Sequence, residues 1–147
     1  MEEAYVVVAF RSPVGKFMGK LSDLSAVQIA TEVAKGTFER SGVDSKLIEE
    51  AIIGNVLSAG EGQNPAKQVV MHSGMQKNVA TVNVNMICAS GLKAIALAAQ
   101  GIRANDLNLA LAGGMIPSLA SGCPKMESVD AILRSHAIAS SLPPPRQ

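Results

Sequence analysis

Cys88 stands where the sequence pattern changes from that of a strand to that of a helix. From Thr81 to Met86, apolar and polar residues alternate, which is the period of a β-strand. From Leu92 to Ile102, apolar residues recur at three- and four-residue spacings, which is the period of an α-helix. The free backbone amides and the positive dipole end of that helix would face the sulfur and favour the thiolate over the thiol. A thiolate in that position is a candidate nucleophile for covalent catalysis.

The same cysteine has a second interpretation. Free cysteines are among the most frequently buried residues, so Cys88 could be a small, inert side chain at the end of a strand. The spacing of the residues alone leaves both interpretations open.

Four segments of the sequence bear on this choice, and Cys88 lies in the third of them. They are Arg11-Ser12-Pro13-Val14-Gly15; Gly54-Asn55-Val56-Leu57 with Gly60-Glu61-Gly62-Gln63-Asn64-Pro65 and Gln68; Asn85-Met86-Ile87-Cys88-Ala89-Ser90-Gly91-Leu92-Lys93-Ala94; and Ala112-Gly113-Gly114-Met115. Each resembles a motif of the thiolase family, and the four lie in the family's order and at its spacing. The resemblance covers about residues 4 to 115.

The resemblance implies a two-stage acyl transfer in which Cys88 is the nucleophile. In this chemistry a cysteine takes the acyl group from an acyl-coenzyme A as a thioester. A second acetyl-coenzyme A then condenses with it to give acetoacetyl-coenzyme A, or coenzyme A cleaves a 3-ketoacyl chain in the reverse direction. The implied substrates are coenzyme A thioesters, with no permanently bound cofactor. No residue of this chain is assigned to holding coenzyme A.

Several parts of the family's catalytic machinery have no match in this sequence. The family places an activating histidine in a Gly-His-Pro motif, a second cysteine in a Cys-x-Gly-Gly-Gly motif, and an Asn-Glu motif at an oxyanion hole. His72, His136 and Cys123 stand in none of these contexts. Met86 replaces a lysine that is usual in the family, while Lys93 matches and is expected to be an exposed helix residue. The chain therefore resembles the N-terminal half of such an enzyme, without the C-terminal catalytic half, and is not expected to complete the condensation alone.

The elements that would position Cys88 follow the order β-α-β-α-β-α-β. Strands are predicted over residues 5–10, 51–57, 79–87 and 107–112. The first is a continuous apolar run, which is typical of a strand buried on both faces. Helices between successive strands demand right-handed crossovers, and therefore a parallel sheet with helices on both faces. The predicted fold class is α/β.

Capping chemistry marks where two of the helices begin. Ser25 forms a capping-box pattern with Gln28, and Asn64 precedes Pro65 as an N-cap precedes a first helical position. Loops that follow parallel strands gather at one edge of the sheet, where α/β proteins bind ligands. Cys88 and a predicted Gly113-Gly114 turn both fall on that edge.

The helix predicted over residues 89–103 is apolar on nearly every side. Only Lys93 and Gln100 are polar before Arg103, and a helix that is apolar all round is usually buried all round. A sheet of about four strands covers one side of it. The thiolase resemblance implies a five-layer α-β-α-β-α sandwich, whose other half would cover the second side. We therefore expect the chain to form a homo-oligomer, or to associate with thiolase subunits, through this helix.

The domain boundary is predicted near residue 115. Residues 1–115 would form a truncated thiolase N-terminal domain, and residues 116–147 a divergent C-terminal tail. Within the tail, Val129, Ile132 and Leu133 predict a weak helix over residues 128–139, and Pro143-Pro144-Pro145 predicts an extended end.

Composition narrows the partners and the location. A net charge of +1 with no basic cluster, and 3% aromatic residues, argue against binding nucleic acid. No apolar run approaches the roughly 20 residues that a bilayer requires, so no membrane partner is expected. The two histidines and two cysteines lack the spacing of metal ligands, so no metal is expected. The acidic start has neither a signal-peptide nor a transit-peptide pattern, which predicts a cytoplasmic location and leaves a mitochondrial location as the alternative.

Three hypotheses for function follow. The first is an acyltransferase of the thiolase type that forms an acyl thioester on Cys88. The second is a non-catalytic, truncated thiolase-like interaction module. The third is another condensing enzyme of the same superfamily, such as a ketoacyl synthase, and the segment over residues 60–65 argues against it.

Overall fold

Strands and helices alternate along most of the chain, as the sequence pattern predicts. The computed structural model describes residues 3–13, 19, 21, 23–115 and 129–135, the last range for its backbone alone. The elements are β1 (Ala4–Arg11), α1 (Ala26–Ser41), β2 (Glu50–Asn55), α2 (Pro65–His72), β3 (Ala80–Val84), α3 (Ser90–Arg103), β4 (Leu109–Met115) and β5 (Val129–Ser135). A short 3-10 helix, Ser45–Leu47, precedes β2.

The strands form one sheet in the order β1-β5-β4-β2-β3. β2 lies between β3 and β4 and runs parallel to both, with Ile52 opposite Val82 on one side and Ala112 on the other. β5 is antiparallel to both of its neighbours, so β1 runs in the same direction as β2, β3 and β4. The α/β class and the common direction of the four predicted strands are confirmed.

β5 corrects the helix predicted over residues 128–139. The structure has a strand there, Val129–Ser135, which pairs with β1 on one side and β4 on the other. A short apolar segment fits a helix or a strand equally well when it is judged by its own pattern. The hydrogen-bonding edges of β1 and β4 decide between them, and those edges are remote in sequence.

Helices lie on both faces of the sheet, as predicted, and each face has its own core. The face covered by α1 and α2 is built from larger side chains, among them Val27, Phe38, Ile53, Val69, Leu109, Leu111 and Met115. The face covered by α3 is built mostly from alanines with two isoleucines, namely Ile52, Ala94, Ala98, Ile102, Ala110 and Ala112. Small residues on both surfaces allow α3 to approach the sheet closely.

The predicted helix signals are confirmed by their hydrogen bonds. The Gln28 amide donates to Ser25 Oγ at 3.1 Å and the Ser25 amide donates to Gln28 Oε1 at 2.8 Å, which completes the capping box of α1. Asn64 caps α2, because its Oδ1 accepts from the Lys67 amide at 3.1 Å, and Pro65 is the first helical residue.

β1 is not buried on both faces, contrary to the prediction. It is an edge strand of the sheet, and Tyr5, Val6 and Val7 are all exposed. The apolar run of the sequence indicated a strand correctly but could not indicate its place in the sheet. No element in the described part of the chain covers the outer side of β1.

The pair Gly113-Gly114 also differs from its prediction. Both glycines lie inside β4, opposite Ile53 and Gly54 of β2, so β4 continues to Met115 and does not turn at 113. Glycine is weak in strand interiors, and it occurs there where another backbone comes close. The neighbouring backbone here belongs to α3, as described below.

Candidate active site

Cys88 lies in the five-residue connection between β3 and α3, on the loop that follows the strand. Its side chain is exposed. Because β2, β3 and β4 are parallel, this loop and the loop after β2 emerge at the same edge of the sheet. The strand-to-helix position predicted for Cys88 is therefore found, and the side chain is not buried as the alternative expected. The reactivity of its thiol stays a prediction.

Three glycines seat the first turn of α3 directly on the sheet. A Cβ at Gly54 in β2 would collide with the backbone of Ser90 and would lie 2.6 Å from the Gly91 nitrogen. A Cβ at Gly114 in β4 would lie 3.0 Å from the Gly91 Cα. Backbone therefore packs against backbone at Gly54, Gly91 and Gly114, and the start of α3 has a fixed height above the sheet.

The residue before Cys88 has an unusual backbone. Ile87 has φ of +51°, in the left-handed region that β-branched residues rarely adopt. Such a conformation costs on the order of 1–3 kcal/mol and persists where the surrounding structure over-determines it. The strain lies one residue from the exposed thiol.

Two polar side chains hold this turn by its backbone. Asn85 Oδ1 accepts from the Ile87 amide at 3.2 Å, and Asn85 Nδ2 donates to the Val56 carbonyl at 3.3 Å. Ser90 Oγ accepts from the Met86 amide at 2.9 Å and donates to the Ile87 carbonyl at 2.6 Å. Both polar backbone groups of Ile87 are therefore bound by side chains of the same turn.

The loop after β2 is organised beside this turn. Gly60 and Gly62 both have positive φ, and Gln68 Nε2 donates to the carbonyls of Glu61 at 2.6 Å and Gln63 at 3.1 Å. The bond from Asn85 to the Val56 carbonyl connects the two loops. Both loops are thus held in place at the sheet edge where Cys88 is exposed.

The start of α2 is bound to β3 by an amide network. Asn83 Nδ2 donates to Asn64 Oδ1 at 2.6 Å, and Asn83 Oδ1 accepts from the Ala66 amide at 3.0 Å. Asn64 Nδ2 donates to Thr81 Oγ1 at 3.0 Å. These bonds fix the strand that delivers Cys88 against the helix beside it.

Apolar side chains around Cys88 are open to solvent. Met86, Ile87 and Leu92 are 56%, 70% and 73% exposed, and we call them the 86–92 apolar patch. α3 buries only a narrow stripe of its circumference, at Ser90, Ala94, Ala98 and Ile102. The prediction that one sheet leaves part of this helix uncovered is therefore correct for the described residues.

Two of the other polar residues singled out from the sequence, Lys93 and His72, lie in the described part of the chain. Lys93 is half-buried, and was expected to be exposed. His72 is the last residue of α2, and a helix that connects two parallel strands ends at the sheet edge opposite to the one where it begins. His72 is therefore remote from Cys88. Cys123 and His136 lie outside the described residues.

Two further observations concern possible sites elsewhere in the described part of the chain. Among the residues that are described, no group of three or more His, Cys, Asp or Glu side chains converges as a metal site would require. A groove between the end of β1 and α1, lined in part by Phe10, Arg11 and Arg40, lies on the face of the sheet opposite to α3. The Arg40 guanidinium carbon lies 5.1 Å from the centre of the Phe10 ring.

None of the helices in the described part has the length and apolarity needed to cross a membrane.

Sequence reasoning missed Ser90 as a member of this site. Its signal in the sequence is a serine two residues after the cysteine, because small hydroxyl side chains often bond to backbone groups three or four residues before them. The role of Gly54 was also missed. Its signal was a glycine inside a buried strand, which indicates close approach of another backbone.

Fold and site together define an α/β domain that presents a cysteine on an exposed strand-to-helix turn. The sequence of this chain matches the family described as thiolase, N-terminal domain, over residues 4–137. The chain belongs to that family. The match extends past residue 115 and includes β5.

Individual relatives agree with this assignment. The chain is 46% identical over 115 residues to an acetyl-CoA acetyltransferase of Yarrowia lipolytica, and 44% identical over 115 residues to one of Escherichia coli. Each alignment covers 78% of this chain and 29% of the relative. The chain thus spans less than a third of the length of these relatives.

Solved structures show the same fold. The Acat5 thiolase from Ascaris suum, crystallised in complex with coenzyme A, superposes with a TM-score of 0.75 at 40% identity, over 77% of this chain and 30% of that one. The Bacillus anthracis acetyl-CoA acetyltransferase superposes with a TM-score of 0.74 at 29% identity, over 78% of this chain and 29% of its own.

Proposed function

We propose that this chain supplies the acyl-accepting cysteine of a thiolase-type acyltransferase, and that Cys88 is that cysteine. The observation that carries the proposal is an exposed thiol on a turn seated by Gly54, Gly91 and Gly114, in a chain that belongs to the thiolase N-terminal family. A covalent nucleophile must be reachable by its substrate and held on rigid elements. The described turn meets both requirements.

The proposed substrate is acetyl-coenzyme A. The relatives from Yarrowia lipolytica and Escherichia coli are acetyl-CoA acetyltransferases, and the Ascaris suum thiolase was crystallised with coenzyme A. Condensation of two acetyl-coenzyme A molecules to acetoacetyl-coenzyme A, or the reverse thiolysis, is proposed as the reaction to which this chain contributes.

The step proposed for Cys88 is a thioester exchange. The Cys88 thiolate attacks the carbonyl carbon of acetyl-coenzyme A, and the bond between that carbon and the coenzyme A sulfur breaks. Coenzyme A leaves as a thiolate that takes a proton from solvent, and the proton of the Cys88 thiol has passed to solvent before the attack. The product is an acetyl thioester on Cys88 and free coenzyme A.

The described residues support this first half-reaction, but their histidine is not placed to assist the second. Condensation requires a base that removes a proton from the second acetyl group. His72, the histidine within the described residues, ends α2 at the opposite edge of the sheet. We therefore propose that the 147-residue chain alone accepts one acetyl group and does not turn over.

A second candidate function is favoured by the 86–92 apolar patch. Three large apolar side chains exposed within a few residues of Cys88 are characteristic of a surface that another protein covers. In this alternative the chain is a non-catalytic interaction module, and its partner is a second copy of itself or a thiolase subunit. The two functions differ in whether Cys88 reacts with a thioester.

The test is acetyl transfer from acetyl-coenzyme A, followed by mass spectrometry of the intact chain and of its peptides. The proposal predicts the addition of one acetyl group, located on the peptide that contains Cys88. The matched control is Cys88→Ala, which should take up none. An unmodified Cys88 thiol, in a folded chain whose Cys88 reacts normally with iodoacetamide, would favour the interaction module.

A further inference from the structure

We propose that Ser90 is a positioning residue for Cys88, and that it acts by holding Ile87 in its left-handed conformation. This inference rests on the proposed role of Cys88 as the acyl acceptor. Ser90 is not proposed to touch the substrate. Its hydroxyl binds the turn on which the sulfur is carried.

The geometry of the turn supports a clamp around the cysteine. Ser90 Oγ spans from the Met86 amide to the Ile87 carbonyl, at 2.9 and 2.6 Å, and Cys88 lies between these groups and Ser90 in the chain. The Ser90 amide also donates to the Ile87 carbonyl, at 3.1 Å. The Ile87 carbonyl therefore accepts two hydrogen bonds from Ser90, one from its hydroxyl and one from its amide. These bonds hold the backbone in which Ile87 has a φ of +51°.

The hydroxyl of Ser90 is used for the turn and not for capping the helix. α3 begins at Ser90 with Ala89 as its N-cap, and no side chain caps its first amides. A serine at the N-cap commonly accepts from amides of the first helical turn, but Ser90 is one residue past the N-cap. The Ser90 hydroxyl accepts from the Met86 amide, which precedes the helix. Its hydrogen bonds therefore hold the backbone just before Cys88.

Ser90 connects an exposed group to the rigid part of the fold. Its side chain is buried, and its backbone packs directly against Gly54 of β2 with no space for a Cβ. Cys88, two residues earlier, is exposed. The position of the sulfur is thus set from the sheet, through Ser90 and Ile87, while the thiol stays open to a substrate.

The primary test compares the acetylation rate of Cys88 by acetyl-coenzyme A in the wild type and in Ser90→Ala. We expect the rate to fall by about tenfold to a hundredfold, because misplacement of a reacting group by an ångström can cost this much. Iodoacetamide is small and can approach the sulfur from more directions, so the rate at which it alkylates Cys88 should fall much less in Ser90→Ala. Circular dichroism verifies that the variant is folded.

A rescue separates positioning from a structural role. Asparagine tolerates the left-handed region better than isoleucine does, so Ile87→Asn should restore much of the acetylation rate in the Ser90→Ala background. Ile87→Val keeps a β-branched side chain and its strain, so it should not restore the acetylation rate. Residue 87 is 70% exposed, so neither substitution disturbs a core. Equal acetylation rates in Ser90→Ala and wild type, or equal rescue by both substitutions, would overturn the proposal.

A second variant serves if Ser90→Ala does not fold. Asn85 is exposed, and Asn85→Ala removes the side chain that accepts from the Ile87 amide. This variant should also lower the acetylation rate, and Ile87→Asn should restore it. Wild-type rates in Asn85→Ala would then overturn the clamp. If acetyl-coenzyme A does not acetylate the wild type at all, the proposed function is wrong, and so is the positioning role of Ser90 that rests on it. Hydrogen exchange of the Met86 amide shows separately whether the Ser90 bond exists.

Discussion

Gly54 in β2 and Ser90 at the start of α3 pack backbone against backbone, with no room for a side chain between them. The groups that a Cβ at residue 54 would meet are the carbonyl of Ser90 and the nitrogen of Gly91, and neither belongs to a flexible side chain. The contact therefore sets the distance between the sheet and the turn that carries Cys88.

Gly54→Ala should destabilise the chain and displace α3. We expect a loss of about 1–3 kcal/mol or more in the free energy of unfolding, because the new methyl group must move backbone. Gly36→Ala is the matched control. Gly36 lies inside α1, and no atom lies within 4 Å of the place that a methyl group would occupy, so alanine there should stabilise by about 0.5–1 kcal/mol. Chemical denaturation of both variants measures the difference, and equal stabilities would contradict the close contact.

The local features of this fold could be predicted from the sequence, and the long-range ones could not. The capping box of Ser25, the N-cap at Asn64 and the strand-to-helix position of Cys88 each depend on a few neighbouring residues, and each was predicted. The exposure of β1 and the continuation of β4 through Gly113 depend on which strands are neighbours in the sheet. Pairing partners distant in sequence leave no local pattern, so these features could not be predicted.

The site shows the same division. Spacing and the thiolase resemblance singled out Cys88, but the seat at Gly54 and the bonds of Ser90 arise from the packing of α3 on β2. The strand β5, where a weak helix was predicted, also forms by pairing with β1 and β4. The domain boundary near residue 115 stays a prediction.

The 86–92 apolar patch should drive self-association of the purified chain. Burial of the exposed Leu92 side chain in an interface would contribute roughly 1.5–3 kcal/mol, and burial of Met86 and Ile87 would add to this free energy. Leu92→Glu should therefore reduce both the mass measured by light scattering and the binding of a hydrophobic dye. Ile95 is a poorer choice, because it packs against the sheet.

Gln100→Glu is the matched control for Leu92→Glu. It adds the same charge to an exposed position of α3 that is already polar, so association should not change. A monomeric wild type that binds no dye, or equal effects of the two substitutions, would contradict the role of the patch.

Asn55→Leu should stabilise the chain. Asn55 is buried at the end of β2, and its Oδ1 and Nδ2 have no hydrogen-bond partner among the described residues. Replacing unsatisfied polar groups with an apolar side chain of similar size removes their desolvation cost, by about 1–3 kcal/mol. Asn83→Leu is the contrast, because it breaks bonds to Asn64 and Ala66 and should destabilise. A lower unfolding midpoint for Asn55→Leu would show that the amide is satisfied.

The single tyrosine of the chain gives a pH test of the N-terminal strand. The Tyr5 hydroxyl donates to the Glu3 carboxylate, and this hydrogen bond raises the pKa of Tyr5 above its ordinary value of 10.0. The bond stabilises the protonated phenol, so Glu3→Ala should lower the pKa of Tyr5. Ultraviolet titration follows the phenolate of this one residue, and an unchanged titration in Glu3→Ala would show that the bond does not form in solution.

The acyl-acceptor role of Cys88 is tested most directly by the time course of coenzyme A release from acetyl-coenzyme A, measured by chromatography of the free coenzyme A. We predict a burst of one coenzyme A per chain, then no steady release and no acetoacetyl-coenzyme A. The sequence has neither the Gly-His-Pro nor the Cys-x-Gly-Gly-Gly motif that the thiolase resemblance implies for the second step. Cys88→Ala should abolish the burst. A burst that survives in Cys88→Ala, or a folded wild type that releases no coenzyme A, would contradict the assignment of Cys88 as the acyl acceptor.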